Sequence, residues 1–286
     1  MEFIPAEKGV PIRQPSTANL MIDSFDRKIS TSSPFAFDII KNQSIMNGFF
    51  TRIGTTELVL EWRENNISNA LQNTQIVITQ TGSPADTITV PSGLWTVYSA
   101  LTYIVDALNT IHGAGTYVLD ATNPNNLILT ATGGATFVVA QGNLQNQLGL
   151  TVDVAPTAIM PILGADLRPF RYIDFVCSQL TYNQELKDGS TNPVNKDVLA
   201  RWYFDWDSPP TLDAGNQPIY MGYSNFSARR LFNPPKQIKW SGNQPIGNLT
   251  FEVFGYSMVY PNGVALSSIY PTSLSNWLMT LQVSEV

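Results

Sequence analysis

Apolar and polar residues alternate over short stretches along most of the chain, the period of a half-buried strand. In 34–39 (PFAFDI), Phe35, Phe37 and Ile39 share one face. In 55–62 (TTELVLEW), Leu58, Leu60 and Trp62 alternate with Glu57, Val59 and Glu61. Leu249, Phe251 and Val253 do the same in 249–256 (LTFEVFGY). Further strands are predicted at 19–24, 172–177, 198–206, 226–232, 237–240 and 277–283. Asp188-Gly189-Ser190, Asp207-Ser208-Pro209-Pro210, Pro234-Pro235, Ser241-Gly242-Asn243 and Pro261-Asn262-Gly263 break these runs with turn chemistry. Many short strands between such turns predict a sandwich or barrel.

Helical spacing occurs in one place. Val97, Leu101, Ile104, Val105, Leu108 and Ile111 form a stripe, Thr96 can cap it, and Asn109 to Gly113 offers a stop. Around this helix the pattern predicts strands at 87–90, 117–119, 127–130 and 136–139. The charge pattern changes over the same region. Between Arg63 and Arg168 there is no Lys or Arg, while Glu64, Asp86, Asp106, Asp120, Asp153 and Asp166 give this window a formal charge of -6. The rest of the chain balances. An inserted unit of roughly 75–165 in a host built from both ends accounts for both changes. Residues 1–18, with Pro5, Pro11 and Pro15, read as an extended arm.

Composition narrows the function. Only 13% of the 286 residues are charged, 43% are hydrophobic, and Asn, Gln, Ser and Thr supply 85 positions. Such a surface is solvated by amides and hydroxyls and packs against neighbours without desolvating many ions. A net charge of -6 argues against nucleic-acid binding by the whole surface. One Cys and one His leave no disulfide framework, Cys-rich zinc site or His-based centre. No secretory signal or membrane-spanning apolar run is expected.

Candidate chemistry is sparse. His112, beside Gly113, reads as an exposed loop residue, with a pH-sensitive cap as the alternative. Cys177 lies in an apolar strand and reads as a buried small hydrophobe. Asp23, Asp26 and Arg27, and Asp205 and Asp207 around Trp206, offer paired carboxylates of the kind a glycosidase needs, yet they read more simply as turn or ion-paired aspartates. Arg229-Arg230 reads as a solvated strand edge. Trp202, Tyr203, Phe204 and Trp206 read as a strand whose alternate members fill a core. Asn42, Asn66, Asn225 and Asn248 begin glycosylation triplets that this composition produces by chance. No catalytic, cofactor or metal residue is assigned.

The order of segments resembles the penton, or minor capsid, proteins of virophages, polinton-like viruses and related large DNA viruses of eukaryotes. The likeness rests on 19–27 (NLMIDSFDR) with 33–37 (SPFAF), on 57–62 (ELVLEW) with Asn65-Asn66-Ile67, and on 245–253 (PIGNLTFEV) with Asn262-Gly263. The closing 277–283 (WLMTLQV) and the inserted 90–96 (VPSGLWT), with its helix and Leu148-Gly149-Leu150, complete it. The resemblance implies a mainly β protein: a single eight-stranded antiparallel jelly roll with a small inserted α+β domain. The expected division is an arm at 1–18, a jelly roll at 19–74 and 166–286, and the insertion at 75–165. The implied role is a non-enzymatic virion protein. It would form a homopentamer that closes an icosahedral five-fold vertex beside double-jelly-roll major capsid neighbours, and it needs no cofactor. The insertion would project outward, where it could meet a host receptor or glycan. A viral spike or fibre-type receptor- or glycan-binding module is the alternative.

Overall fold

The structure is a computed structural model that describes residues 17–27, 33–40, 52–122, 127–152, 155–181, 198–204, 211–212, 218–219, 226–235, 237–239, 247–257 and 259–284. The first part runs β1 (Thr17–Asp23), β2 (Ala36–Ile40), β3 (Arg52–Trp62), β4 (Gln75–Gln80), β5 (Ala85–Thr89), α1 (Val97–His112), β6 (Tyr117–Asp120), β7 (Ile128–Ala131), β8 (Phe137–Val139), α2 (Asn143–Gln147) and β9 (Ile159–Pro161). The second part runs β10 (Tyr172–Val176), α3 (Ser178–Thr181), β11 (Val198–Tyr203), β12 (Thr211–Leu212), β13 (Pro218–Ile219), β14 (Phe226–Leu231), β15 (Gln237–Lys239), β16 (Asn248–Tyr256), β17 (Val264–Ala265), α4 (Leu266–Ile269) and β18 (Asn276–Ser284).

Two antiparallel sheets form the main body. One has the order β1-β18-β3-β14, with β15 on the same edge of β3 as β14. The other has the order β11-β10-β16, and β2 and β17 share the far edge of β16. From β1 to β3 and from β14 to β18 the long strands alternate between the sheets, while β10 and β11 pair as neighbours. That order is a jelly roll. β15 and β17 are short additions to the expected eight strands.

Strand β3 shows how the chain fits this frame. Ile53 and Thr55 are buried, then Leu58, Leu60 and Trp62, so the buried parity changes between Thr55 and Leu58. The cause is a bulge against β18, where the register shifts between Thr280 and Leu281. Thr55 is buried because its hydroxyl donates to the Leu199 carbonyl at 3.0 Å. Trp62 and Trp277 organise the space between the sheets. Trp62 meets Phe204 and Tyr270 edge-on, while Trp277 meets Phe175 and Phe251 in the same way. The indole N–H of Trp277 donates to the Pro34 carbonyl at 2.7 Å, which satisfies it in the core.

A second hydrophobic core draws on residues between Ile67 and Leu167. It lies between α1 and two three-stranded antiparallel sheets, β5-β4-β8 and β6-β7-β9. Thr96 caps α1 as the sequence predicts, and Ser99 completes a capping box. Leu101, Ile104, Val105 and Leu108 are buried, but Ile111 is 54% exposed. The buried stripe ends at Leu108, and the final turn is held by His112 instead. β4 and β9 are additional to the strands predicted here. The helices α2, α3 and α4 are additional too, and each is too short to show a helical period.

Gly255 tests the packing. A Cβ there would lie 2.5 Å from the Phe170 ring and 2.7 Å from the Leu266 side chain. Gly255→Ala should therefore lower stability by about 1–3 kcal/mol, as overpacking does. Urea unfolding followed by tryptophan fluorescence measures this, and an unchanged midpoint would contradict the packing described.

Candidate functional site

The residues singled out by sequence do not converge on one site. Asp23 accepts the Phe25 N–H at 2.8 Å, and Arg27 donates to the Ser24 carbonyl and to Asn276 Oδ1. The bond from Arg27 to Asn276 fastens the exit of β1 to β18, and burial lowers the Arg27 pKa. Cys177 is buried, and desolvation pushes its thiol up to about 11. Arg229 pairs with Glu57. Arg230 differs from a solvated edge residue: it donates to the Arg201 carbonyl at 2.8 Å and lies over the Phe232 ring. Trp202 and Phe204 fill the core, while Tyr203 points outward. Asp205, Trp206, Asp207, Asn42 and Asn225 lie outside the described residues. Among the described residues no three His, Cys, Asp or Glu side chains are grouped to hold a metal ion.

His112 is not an exposed loop residue. It ends α1, its Nε2 lies 2.7 Å from Asp86 Oδ2, and its side chain is only 10% exposed. Its ring also packs against Tyr117. The pair joins the helix end to β5, a contact that sequence separation hid.

A buried polar joint lies where the two cores meet. The chain reaches the second core at Ile67, meets the first again at Leu71, and returns to the first between Leu167 and Phe170. Glu64 is nearly buried after β3. Its carboxylate accepts the hydroxyls of Ser273 and Ser275 and the Ser275 N–H. Tyr270 Oη donates to the Asn65 carbonyl at 3.1 Å, and Tyr260 Oη donates to that of Ala70 at 3.0 Å. Burial, with Glu64 adding its charge, raises the Tyr270 pKa well above that of a free phenol.

Asn66 is fully buried beside this joint, so its glycosylation triplet is inaccessible. It accepts the Trp95 N–H at 2.8 Å and donates to the Trp95 carbonyl at 2.7 Å, acting as an antiparallel backbone would. Asn73 donates to the Asn66 carbonyl and to Gln147 Oε1, both at 2.8 Å. On the return path Asp166 pairs with Arg168. Gly149 has φ 69°, and a Cβ there would strike the Leu163 carbonyl oxygen. The Asn65-Asn66-Ile67 and Leu148-Gly149-Leu150 segments noted in the sequence are therefore elements of this joint.

A second polar feature lies on the side of β10 away from the core. Asp174 is 1% exposed and is held in two-pronged fashion by Arg201, at 2.6 and 2.8 Å. The guanidinium lies 4.2 Å above the Tyr172 ring, which stacks on Tyr256 at 4.6 Å. Hydrogen bonding to Asp174 is the main cause that raises the Arg201 pKa, and burial pushes Tyr256 up to about 12. The group holds the Arg201 guanidinium against tyrosines. A lone acid in the apolar run YIDFV was the signal for it.

The joint makes a pH-dependent prediction. Asn66→Asp replaces the donor to the Trp95 carbonyl with an oxygen, so the buried group folds best when protonated. Its folded pKa rises above the unfolded value of about 3.9. The variant should come closest to wild type below that pH and lose stability as pH rises through the folded pKa. Thermal melts across pH check this, and a deficit independent of pH would refute it.

No protein-family profile and no curated protein matches the chain. A solved structure does. The crystal structure of the SeMet-labelled mavirus penton protein is similar at a TM-score of 0.50 and 13% identity, over 96% of this chain and 100% of that one. At this identity the likeness establishes the fold. The chain shares its mainly β, jelly-roll architecture with the mavirus penton protein.

Proposed function

We propose that the chain is a structural capsid subunit of penton type. In this reading copies close a ring at the five-fold vertex of an icosahedral virion, beside double-jelly-roll major capsid proteins. The observation that carries it is the jelly-roll fold, shared with a penton protein over nearly the whole of both chains. The polar groups support a structural role as well. Arg27, Glu64, Asp174 and Arg201 are engaged in fastening one element to another.

The inserted segment of about 75–165 is proposed to be a unit that folds on its own and projects from the ring. Its own core, two sheets and capped helix support this. A fragment of residues 65–168 should melt cooperatively and keep the helical signal of α1 by circular dichroism. A fragment without a cooperative melt would count against an independent unit.

Light scattering of the purified protein over a range of concentrations tests the ring. A closed cyclic contact predicts a particle of five chains of 31.5 kDa each. A trimer would favour a spike or fibre. A mass of one chain, even with the major capsid protein added, would overturn the penton reading.

A further inference from the structure

His112 is the sole histidine of the chain, and no Lys or Arg occurs between Arg63 and Arg168, so its imidazole is the one side chain of this stretch that can carry a positive charge. The fold gives it a carboxylate. Its Nε2 lies 2.7 Å from Asp86 Oδ2 on β5, and the two side chains are only 10% and 14% exposed. Its ring packs against Tyr117 of β6, with 5.8 Å between ring centroids. It also closes α1. The Gly113 N–H donates to the Asn109 carbonyl, and the Thr116 hydroxyl donates to the His112 carbonyl at 3.2 Å.

Among the described residues, the charges that face this ring are negative. Asp86 faces it from β5, and the carbonyls that end α1 present the negative end of the helix dipole. Tyr117 faces it from β6 as a neutral phenol. Burial and, after it, the charge of Asp86 raise the Tyr117 pKa, and its hydroxyl donates to Gln80 Oε1 on β4 at 3.2 Å. Asp106, the acid of α1 itself, is exposed. With both ring nitrogens protonated, the contact is an ion pair and a charge-assisted hydrogen bond, and the cation sits where a helix C-terminus favours one. With one proton fewer, the Asp86 carboxylate is left against the negative helix end in a stretch that holds no Lys or Arg to answer it. Imidazole is the ordinary side chain that changes charge between about pH 5 and 8.

We propose that His112 and Asp86 form a pH-sensitive clamp within the inserted segment, in which a proton on His112 fastens the last turn of α1 to β5. The ion pair exists only while the helix end is closed, so protonation favours the closed form. The clamp is at full strength at the acid end of that pH window and weakens as pH rises through it. It lies within the inserted segment and does not rest on the ring reading.

Hydrogen exchange of the full chain tests the clamp, read by mass spectrometry on peptides covering 82–90 and 106–118. After correction for intrinsic rates, and relative to peptides of β16, their protection should be roughly three- to tenfold greater at about pH 6 than at about pH 8, the range a cation at a helix end supplies. Asp86→Asn and His112→Gln should each remove that difference. A hydrogen bond in which the proton plays no part would instead lower protection by the same factor at both pH values. Wild-type protection that is independent of pH, or a difference that persists undiminished in Asp86→Asn, would overturn the clamp and leave the ring reading intact. If either variant fails to fold, the wild-type comparison alone decides.

Discussion

The barrel depends on the last strand lying between the first and the third. β18 pairs with β1 on one side and with β3 along nearly its whole length on the other. No neighbour in sequence can take that place, so the sheet stays open until the C-terminal residues arrive. Trp277 then ties several groups together. Its backbone N–H donates to the Ser24 hydroxyl, its indole reaches the Pro34 carbonyl, and its ring packs against residues of the opposite sheet. Contacts this distant in sequence make folding slow. The second core has no such requirement, because its residues all lie between Ile67 and Leu167.

The same topology explains where an insertion can be carried. β3 and β10 belong to different sheets, so the chain must cross between them whatever lies in between. The outgoing crossing is anchored to the barrel through Glu64, Tyr260 and Tyr270, and Asn66 ties it to Trp95; the Asp166–Arg168 pair and the tight passage at Gly149 brace the returning segment locally. An unpaired buried donor or acceptor costs about 1–3 kcal/mol, so displacing the outgoing crossing would expose several such costs at once. The outgoing crossing is therefore tied to the barrel by several hydrogen bonds.

Amides take a larger part in this than a solvated surface would require. Asn66, Asn73 and Gln145 are buried, and each satisfies backbone groups that no strand or helix reaches. An amide does this without the desolvation penalty of an ion. The low charge content thus reflects the interior of the protein as well as its surface. Among the described residues the buried ions are Glu64 and Asp174, and each accepts several hydrogen bonds.

The sequence by itself determined most of the long strands, where α1 starts, and which parity of β16 faces the core. These are local properties, set by alternation, turn residues and the Thr96 cap. The order of segments pointed to the fold that the penton comparison shows. The tertiary structure alone decided the rest. The bulge that flips β3 after Thr55 depends on β18, more than two hundred residues away. His112 finds Asp86 on another strand, Asp174 finds Arg201 across a pair, and Asn66 finds Trp95 at the joint. Each of these is a pairing between distant residues, and a one-dimensional pattern records what a residue prefers to face, not which partner it will meet.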